Sequence, residues 1–291
     1  MNVIPPVLSI AGSDNSAGAG IQADLKTMSA LGVYGLTAVT CVVAEVPGKV
    51  SAIQGMPPAL VGEQIRLSFE AFPLKAVKTG MLYSAEIMEA VVDALAATGC
   101  CEGAVPLVVD PVMVATSGDR LLQPEALELY KTRLFPLASL VTPNLDEAEV
   151  LLGRGIASRN ELEEAGRALA REYGAAFLMK GGHLKVAVAA DVLVLPGGES
   201  HWFEAPFVQG VSTHGTGCTY SAAVASELGK GAALVEAVGA AKRFISRAVV
   251  EYLRWEHSGG QTDALHHFAA FGKSGGTVAA SVCLGAVDAA P

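Results

Sequence analysis

Short apolar runs alternate along the chain with longer stretches in which apolar residues recur every three or four positions. Val7–Ala11 reads as a strand running into a Gly-rich turn, and Ile21–Leu31 as a helix with apolar residues at 21, 25, 28 and 31. Leu36–Ala44 is rich in β-branched residues and reads as a buried strand. The alternation continues with a helix over Leu60–Phe72, a strand over Ala76–Lys78, a helix over Ala85–Ala97 and a strand over Leu107–Asp110. Pro124–Leu134 reads as helical, Leu140–Thr142 as a strand, and Leu145–Leu152 and Arg159–Tyr173 as helices. Strands over Phe177–Lys180, Asp191–Leu195 and His201–Glu204 follow, and helices near Gly217–Leu228 and Leu234–Leu253 close the pattern. Strands alternating with helices of this length predict βαβ units and an α/β fold with a mostly parallel sheet. Ligands of such sheets gather beyond the carboxyl ends of the strands, here the turns after residues 10, 79, 110, 142, 180 and 211. Residues 45–58 read as a small flap beside the sheet.

The 291 residues suffice for one large α/β domain, and no repeat or linker divides them. Residues 1–272 form the predicted domain. Residues 273–291, Gly-rich at the start and small throughout, have little to bury and read as a flexible tail. Mean hydropathy is +0.42, yet no apolar run approaches the roughly 20 residues that span a bilayer. No signal peptide is evident at the start. The formal charge of −9 argues against broad nucleic-acid binding, which needs clustered Lys and Arg. It leaves anionic small molecules open, because backbone N–H groups can hold phosphate in an acidic protein. Five cysteines without a C-x-x-C spacing read as reduced thiols in a cytoplasm.

Five motifs carry candidate chemistry, each at a predicted strand end. Ala11-Gly12-Ser13-Asp14, with Gly18 and Gly20 ahead of a helix, makes a turn suited to a polar ligand, or simply a tight βα turn. Asp24, one helical turn in, is placed to pair locally or to face a ligand hydroxyl. Asp110, after Val108-Val109, is placed to hold Mg²⁺ or to cap a turn. Asn144 and Glu147 resemble a capping box, and the same geometry sets an amide and a carboxylate at a strand end. Lys180, before Gly181-Gly182, suits a phosphate contact. Thr213-His214-Gly215-Thr216-Gly217-Cys218 lets successive N–H groups form an anion hole, and the helix dipole is expected to favour the Cys218 thiolate. Together these are parts for phosphoryl transfer from Mg·ATP without a Walker motif.

In order, Ala11-Gly-Ser-Asp14 with Gly18-Ala-Gly-Ile-Gln-Ala-Asp-Leu-Lys26, Lys78-Thr-Gly-Met-Leu82, Val109-Asp-Pro-Val-Met113, Ser117-Gly-Asp119, Thr142-Pro-Asn144, Met179-Lys-Gly-Gly-His183 and Thr213-His-Gly-Thr-Gly-Cys218 resemble the hydroxymethylpyrimidine/phosphomethylpyrimidine kinases of thiamine biosynthesis. His266-His267-Phe268 is similar to that family's ending. The resemblance implies a ribokinase-like three-layer α/β/α sandwich with a small flap. It implies ATP-dependent phosphorylation of 4-amino-5-hydroxymethyl-2-methylpyrimidine, and then of the monophosphate to the diphosphate. It gives Cys218 the general-base place and the amides of Gly215, Thr216, Gly217 and Cys218 the anion hole. Lys180, Asn144 and Thr213 would contact ATP, and Asp110 and Glu147 would organise Mg²⁺. Gly12, Asp24, Glu45, Met81 and Val112 would line the pyrimidine pocket. A homodimer is implied, and a monovalent-cation requirement is left open.

Two positions depart from the pattern. Where the family usually reads Val-Ala-Gln-Asn, this chain has Val43-Ala44-Glu45-Val46. A glutamine amide offers a donor and an acceptor to an aminopyrimidine edge; a carboxylate only accepts. Glu45 therefore suits a protonated ring, or another substrate. The loop ahead of the anion hole has Gly210-Val-Ser212 where the family usually has Lys-Asn, which bears on the second phosphorylation. Pyridoxal kinase is the alternative function. A non-catalytic vitamer-binding protein and a nucleotide-dependent oxidoreductase are the readings from other classes.

Overall fold

The computed structural model describes residues 4–98, 105–113, 124–182, 188–208, 210–211 and 214–269. Ser117–Asp119, His183, Thr213 and the tail from 273 lie outside them. In chain order the elements are β1 (Pro6–Asp14), α1 (Gly20–Ala30), β2 (Tyr34–Val46), β3 (Lys49–Gly55), α2 (Pro58–Ala71), β4 (Ala76–Thr79) and α3 (Ala85–Ala97). There follow β5 (Leu107–Val109), α4 (Pro124–Leu129), β6 (Leu140–Val141), α5 (Leu145–Leu152), α6 (Arg159–Tyr173) and β7 (Ala176–Lys180). Then come β8 (Val188–Val194), β9 (Ser200–Pro206), α7 (Thr216–Gly229), α8 (Leu234–Val250), β10 (Leu253–His257) and β11 (Gly260–Ala264).

Nine strands form one sheet in the order β3-β2-β1-β4-β5-β6-β7-β8-β9. The six strands from β2 to β7 in that order pair in parallel. The outer pairs β2–β3, β7–β8 and β8–β9 are antiparallel. The parallel strands are apolar on both faces because helices cover both. Leu8, Ile10, Val77 and Val109 pack with Ile65, Val91, Ala148 and Leu169 of α2, α3, α5 and α6. Val7, Ala76, Val108 and Leu178 pack on the other side with Met28, Val224 and Ala241 of α1, α7 and α8. This is the expected three-layer sandwich. Each of the Val, Leu, Ile and Met side chains among them, fully buried, contributes roughly 1.5–3 kcal/mol.

The chain reverses direction across the sheet at β1, which has β2 on one side and β4 on the other. In sheets of this kind the ligand cleft lies at such a reversal, beyond the carboxyl ends of the parallel strands. The flap is β3, and it is more than an appendage. β2 continues to Val46, turns at Pro47-Gly48 and returns antiparallel as the sheet's edge strand.

Two stretches differ from the pattern in the sequence. The predicted helix over 124–134 is α only to Leu129, then a π turn over Tyr130–Leu134 and a 3₁₀ turn over Phe135–Leu137. Pro136 ends the regular ladder there. The last helix stops at Val250, and Leu253 starts the β10–β11 hairpin instead. Ser258-Gly259 supplies the two-residue turn, a hairpin signal that the apolar Leu253 obscured.

Candidate active site

Asp14 ends β1 and organises the turn after it. One carboxylate oxygen accepts from the Ser16 N–H at 2.7 Å; the other accepts from the Ala19 N–H at 2.8 Å and lies 3.2 Å from His214 Nε2. Burial pushes its pKa up, but the His214 bond and those of Ser16 and Ala19 outweigh it and bring it to about 2. The same bond raises the His214 pKa above the ordinary imidazole range. Glu45, half-buried in β2, joins the pair: the ligand-type atoms of Asp14, Glu45 and His214 lie within 4.8 Å of one another. Burial and the Asp14 charge raise the Glu45 pKa. Its backbone N–H is fixed by the exposed Asn15 side chain at 2.7 Å.

The turn and the start of α7 meet backbone to backbone. Gly215 caps α7 with φ +82°, and a Cβ there would lie 1.8 Å from the Gly18 carbonyl oxygen. Gly20, with φ +59°, would bring a Cβ within 2.5 Å of the Gly12 carbonyl oxygen. Only glycine fits both places. The contact fixes the start of α7, whose intrahelical ladder begins with the Thr219 N–H on the Gly215 carbonyl at 2.9 Å.

Cys218 is half-buried in the first turn of α7. Its sulfur accepts from the Gly20 N–H, and Lys78 pulls its pKa down. Burial first, with Asp110 and Asp24 adding, pushes it up to about 11 instead. The expected thiolate is therefore a thiol at rest: two nearby carboxylates and desolvation outweigh the helix terminus.

Asp24 is fully buried. It accepts two contacts from Lys78 Nζ, at 2.8 and 3.0 Å, and one from Ser9 Oγ. Burial opposes both charges, but the two-oxygen contact holds Lys78 protonated. Asp24, expected to line the ligand pocket, is fully buried and held by these protein partners, close enough to Cys218 to act on its thiol. Lys78, unassigned in the sequence reading, is the other half of this foundation. Gly80 leaves room for it, since a Cβ there would lie 2.9 Å from Nζ.

A second cluster faces the cleft. Asp110 follows β5 and Lys180 ends β7, and Nζ lies 3.1 Å from Asp110 Oδ1. Thr142 Oγ1 donates to the same oxygen at 3.1 Å, and Ser221 Oγ of α7 donates to Oδ2 at 3.3 Å. Burial opposes the Asp110 charge, but Lys180 and Lys78 hold its pKa below the usual range. A Cβ on Gly217 would lie 3.3 Å from Lys180 Nζ and 3.6 Å from Asp110 Oδ2, so the start of α7 stands directly over this pair.

Asn144 and Glu147 form the capping box of α5. The Asn144 side chain accepts from the Glu147 N–H, and Glu147 Oε2 accepts from the Asn144 N–H at 2.8 Å. Glu147 also accepts weakly from the Met113 N–H at 3.5 Å. Burial, with the charge of Asp110, raises its pKa to about 7. Two buried carboxylates that hinder each other's ionisation form a donor set suited to a hard cation.

Gly12 and Met81 come together: a Cβ on Gly12 would lie 3.8 Å from Met81 Cβ and 2.7 Å from Cys41 Sγ. Val112 is half-buried two residues past Asp110, its N–H bonded to the Asp110 carbonyl. Asp14 and His214, though within quoted motifs, were not singled out; polar residues at both ends of a Gly-rich turn were the available signal. Among the described residues no helix is long and apolar enough to cross a membrane.

The family model for phosphomethylpyrimidine kinase matches residues 14–263. The thiamine biosynthesis bifunctional protein of Geobacter sulfurreducens is 46% identical over 84% of this chain, which spans only 49% of that longer protein. The hydroxymethylpyrimidine/phosphomethylpyrimidine kinase of Rhizobium meliloti is 44% identical, over 90% of this chain and 96% of its own length. The ADP complex of Bacillus subtilis pyridoxal kinase shares the fold, ribokinase-like as the motifs led us to expect, with a TM-score of 0.81 at 33% identity; the alignment covers 92% of this chain and 99% of that one. The family match starts at the last residue of β1 and ends in β11, and so takes in nearly every element that feeds the cleft: the chain belongs to the phosphomethylpyrimidine kinase family.

Proposed function

We propose that the chain transfers the γ-phosphoryl group of ATP to the hydroxymethyl oxygen of 4-amino-5-hydroxymethyl-2-methylpyrimidine, and then phosphorylates the monophosphate to the diphosphate. The observation that carries this reading is the meeting of Lys180, Asp110 and the glycine-capped start of α7 at the strand ends. Phosphoryl transfer needs little covalent help from a protein; it needs positioning and charge stabilisation.

In this reading the amides from Gly215 to Cys218 hold the transferred group, and Lys180, Asn144 and Thr213 contact the nucleotide phosphates. Asp110 and Glu147 hold Mg²⁺, which when bound neutralises charge on the phosphate oxygens. Cys218 stands in the general-base place: as the thiolate it takes the proton of the attacking hydroxyl, the resting thiol having first given its own proton to solvent. Lys78 favours that thiolate, while Asp110 and Asp24 oppose it. Gly12, Met81 and Val112 border the ring, and Glu45 meets its polar edge. A protonated aminopyrimidine gives that carboxylate two charge-assisted donors. The protein acts as a cytoplasmic homodimer, with residues 1–272 as the kinase domain.

Pyridoxal kinase is the second reading, favoured by the likeness to the Bacillus subtilis enzyme and by the carboxylate at Glu45. ADP release with Mg·ATP and three separate acceptors decides between them: the hydroxymethylpyrimidine, its monophosphate and pyridoxal. Turnover of both pyrimidines is expected. A kcat/KM tenfold or more in favour of pyridoxal would overturn the first reading.

A further inference from the structure

Lys180 is aimed by more than its own strand. On one side its N–H donates to the Pro143 carbonyl at 3.0 Å, which ties the end of β7 to the turn after β6. On the other side β8 runs antiparallel, and Asp191 lies directly opposite Lys180. The next residue, Gly181, leaves the ladder while still buried, so its N–H needs another acceptor. Asp191 Oδ1 takes it at 3.1 Å. Asp191 Oδ2 accepts from Lys242 Nζ at 2.6 Å, and Lys242 also donates to the Ala189 carbonyl at 3.0 Å. Both side chains are at least nine-tenths buried, with exposures of 6% and 10%.

A buried ion pair is costly to desolvate and is weak grounds for stability by itself. This one joins the middle of α8 to the residue next to the lysine that faces the cleft. We propose that Asp191 and Lys242 are positioning residues for the nucleotide end of the site. Asp191 fixes the Gly181 amide and with it the direction of Lys180. Lys242 holds the Asp191 carboxylate in place through the 2.6 Å contact. The Asp191 carboxylate also sits within electrostatic reach of Lys180, so Lys242 stops it from drawing Lys180 away from Asp110. The inference rests on the reading of Lys180 as a phosphate contact.

The test is calorimetric binding of AMP-PNP with Mg²⁺, and separately of the hydroxymethylpyrimidine, to the full chain and to Asp191→Asn and Lys242→Met. Each variant is expected to bind nucleotide about tenfold more weakly, with the double variant losing little more than either single one, as for residues acting as one unit. Pyrimidine affinity is expected to stay within about twofold, and Lys242→Arg to recover most of the nucleotide affinity, because a guanidinium can donate to the same carboxylate. If Asp191→Asn does not fold, Lys242→Met read against Lys242→Arg carries the same test. Unchanged nucleotide affinity, or equal loss for both ligands, overturns the inference. Nucleotide binding needs no acceptor turnover, so a wild type that binds AMP-PNP but phosphorylates no pyrimidine sinks the substrate reading and leaves this test standing.

Discussion

Two of the buried Asp–Lys pairs, Asp24–Lys78 and Asp110–Lys180, differ in how they are closed. Asp24 and Lys78 are both fully buried and make a two-oxygen contact, with Ser9 as a further donor. Asp110 and Lys180 touch through one oxygen at 3.1 Å, and Lys180 keeps 14% of its side chain exposed. The first pair is fully buried, its carboxylate taking three donor contacts from the protein. The second is loosely joined under the start of α7, and an arriving anion can take the lysine while a cation takes the aspartate. Residue type does not separate the two; coordination and access do.

That contrast can be broken from either side. The largest effect is expected between the pairs, at Cys218. Cys218→Ala should lower kcat by about 10²–10⁴-fold while nucleotide affinity changes little, the range for loss of a general base; near-normal kcat would show that the amides suffice. The resting thiol should react slowly with iodoacetamide at neutral pH and speed up toward pH 11, following its raised pKa. A rate already at its plateau at pH 7 would restore the thiolate. Next, Asp24→Ala should cost about 3–5 kcal/mol of unfolding free energy in urea, because it strands a buried ammonium. Lys180→Met should lower the urea midpoint less than Asp24→Ala, because Asp110 keeps Thr142, Ser221 and the nearby Lys78 charge, and it should lower kcat/KM for ATP by roughly 10²–10³. If the two exchanged phenotypes, the assignment of sealed and open pairs would be reversed.

A smaller effect tests Glu45. If it binds a protonated ring, KM for the pyrimidine should rise with pH across the ring's pKa, and Glu45→Gln should flatten that rise; matching profiles refute the protonated-ring reading. The Asp14–His214 bond gives a further pH signature. Asp14 is lowered to about 2, so its stabilisation is complete above its unfolded value near 4 and is lost as pH falls toward 2. His214 is raised, so its share is complete below about 6.5 and is lost as pH rises through its folded pKa. Asp14→Asn should therefore destabilise most between roughly pH 4 and 6.5, as read by melting temperature across pH. The smallest change is at the α5 cap, where Asn144→Ala should remove about 1 kcal/mol.

How much of this was legible in the sequence depended on how local the signal was. α3, α5 and α6 match their predicted bounds because each start carries a capping side chain, Ser84, Asn144 or Ser158, and α5 and α6 end at Gly153 and Gly174 in the left-handed conformation. The strand-end residues Asp110, Asn144 and Lys180 stood out because each breaks an apolar run. Asp24 stood out for its spacing, but its partner lies 54 residues away, and nothing nearby signalled that the pair would be sealed. Asp191 and Lys242 gave no local signal, one mid-strand and the other mid-helix, 51 residues apart. The thiol's protonation state was missed for the same reason: the helix terminus is written beside Cys218, while the carboxylates that oppose it come from other elements.

The close seat of Gly215 on Gly18, and of His214 on Asp14 two hundred residues earlier, has a consequence for how the protein is made. On a ribosome adding roughly 5–20 residues per second, the sheet can begin to assemble long before α7 emerges. The anion hole cannot, because one of its walls is synthesised first and the other nearly last. In the proposed reading, a nascent or truncated chain that stops before residue 218 lacks the seat of the transferred phosphoryl group, so ligand bound there can stabilise only chains that carry both walls.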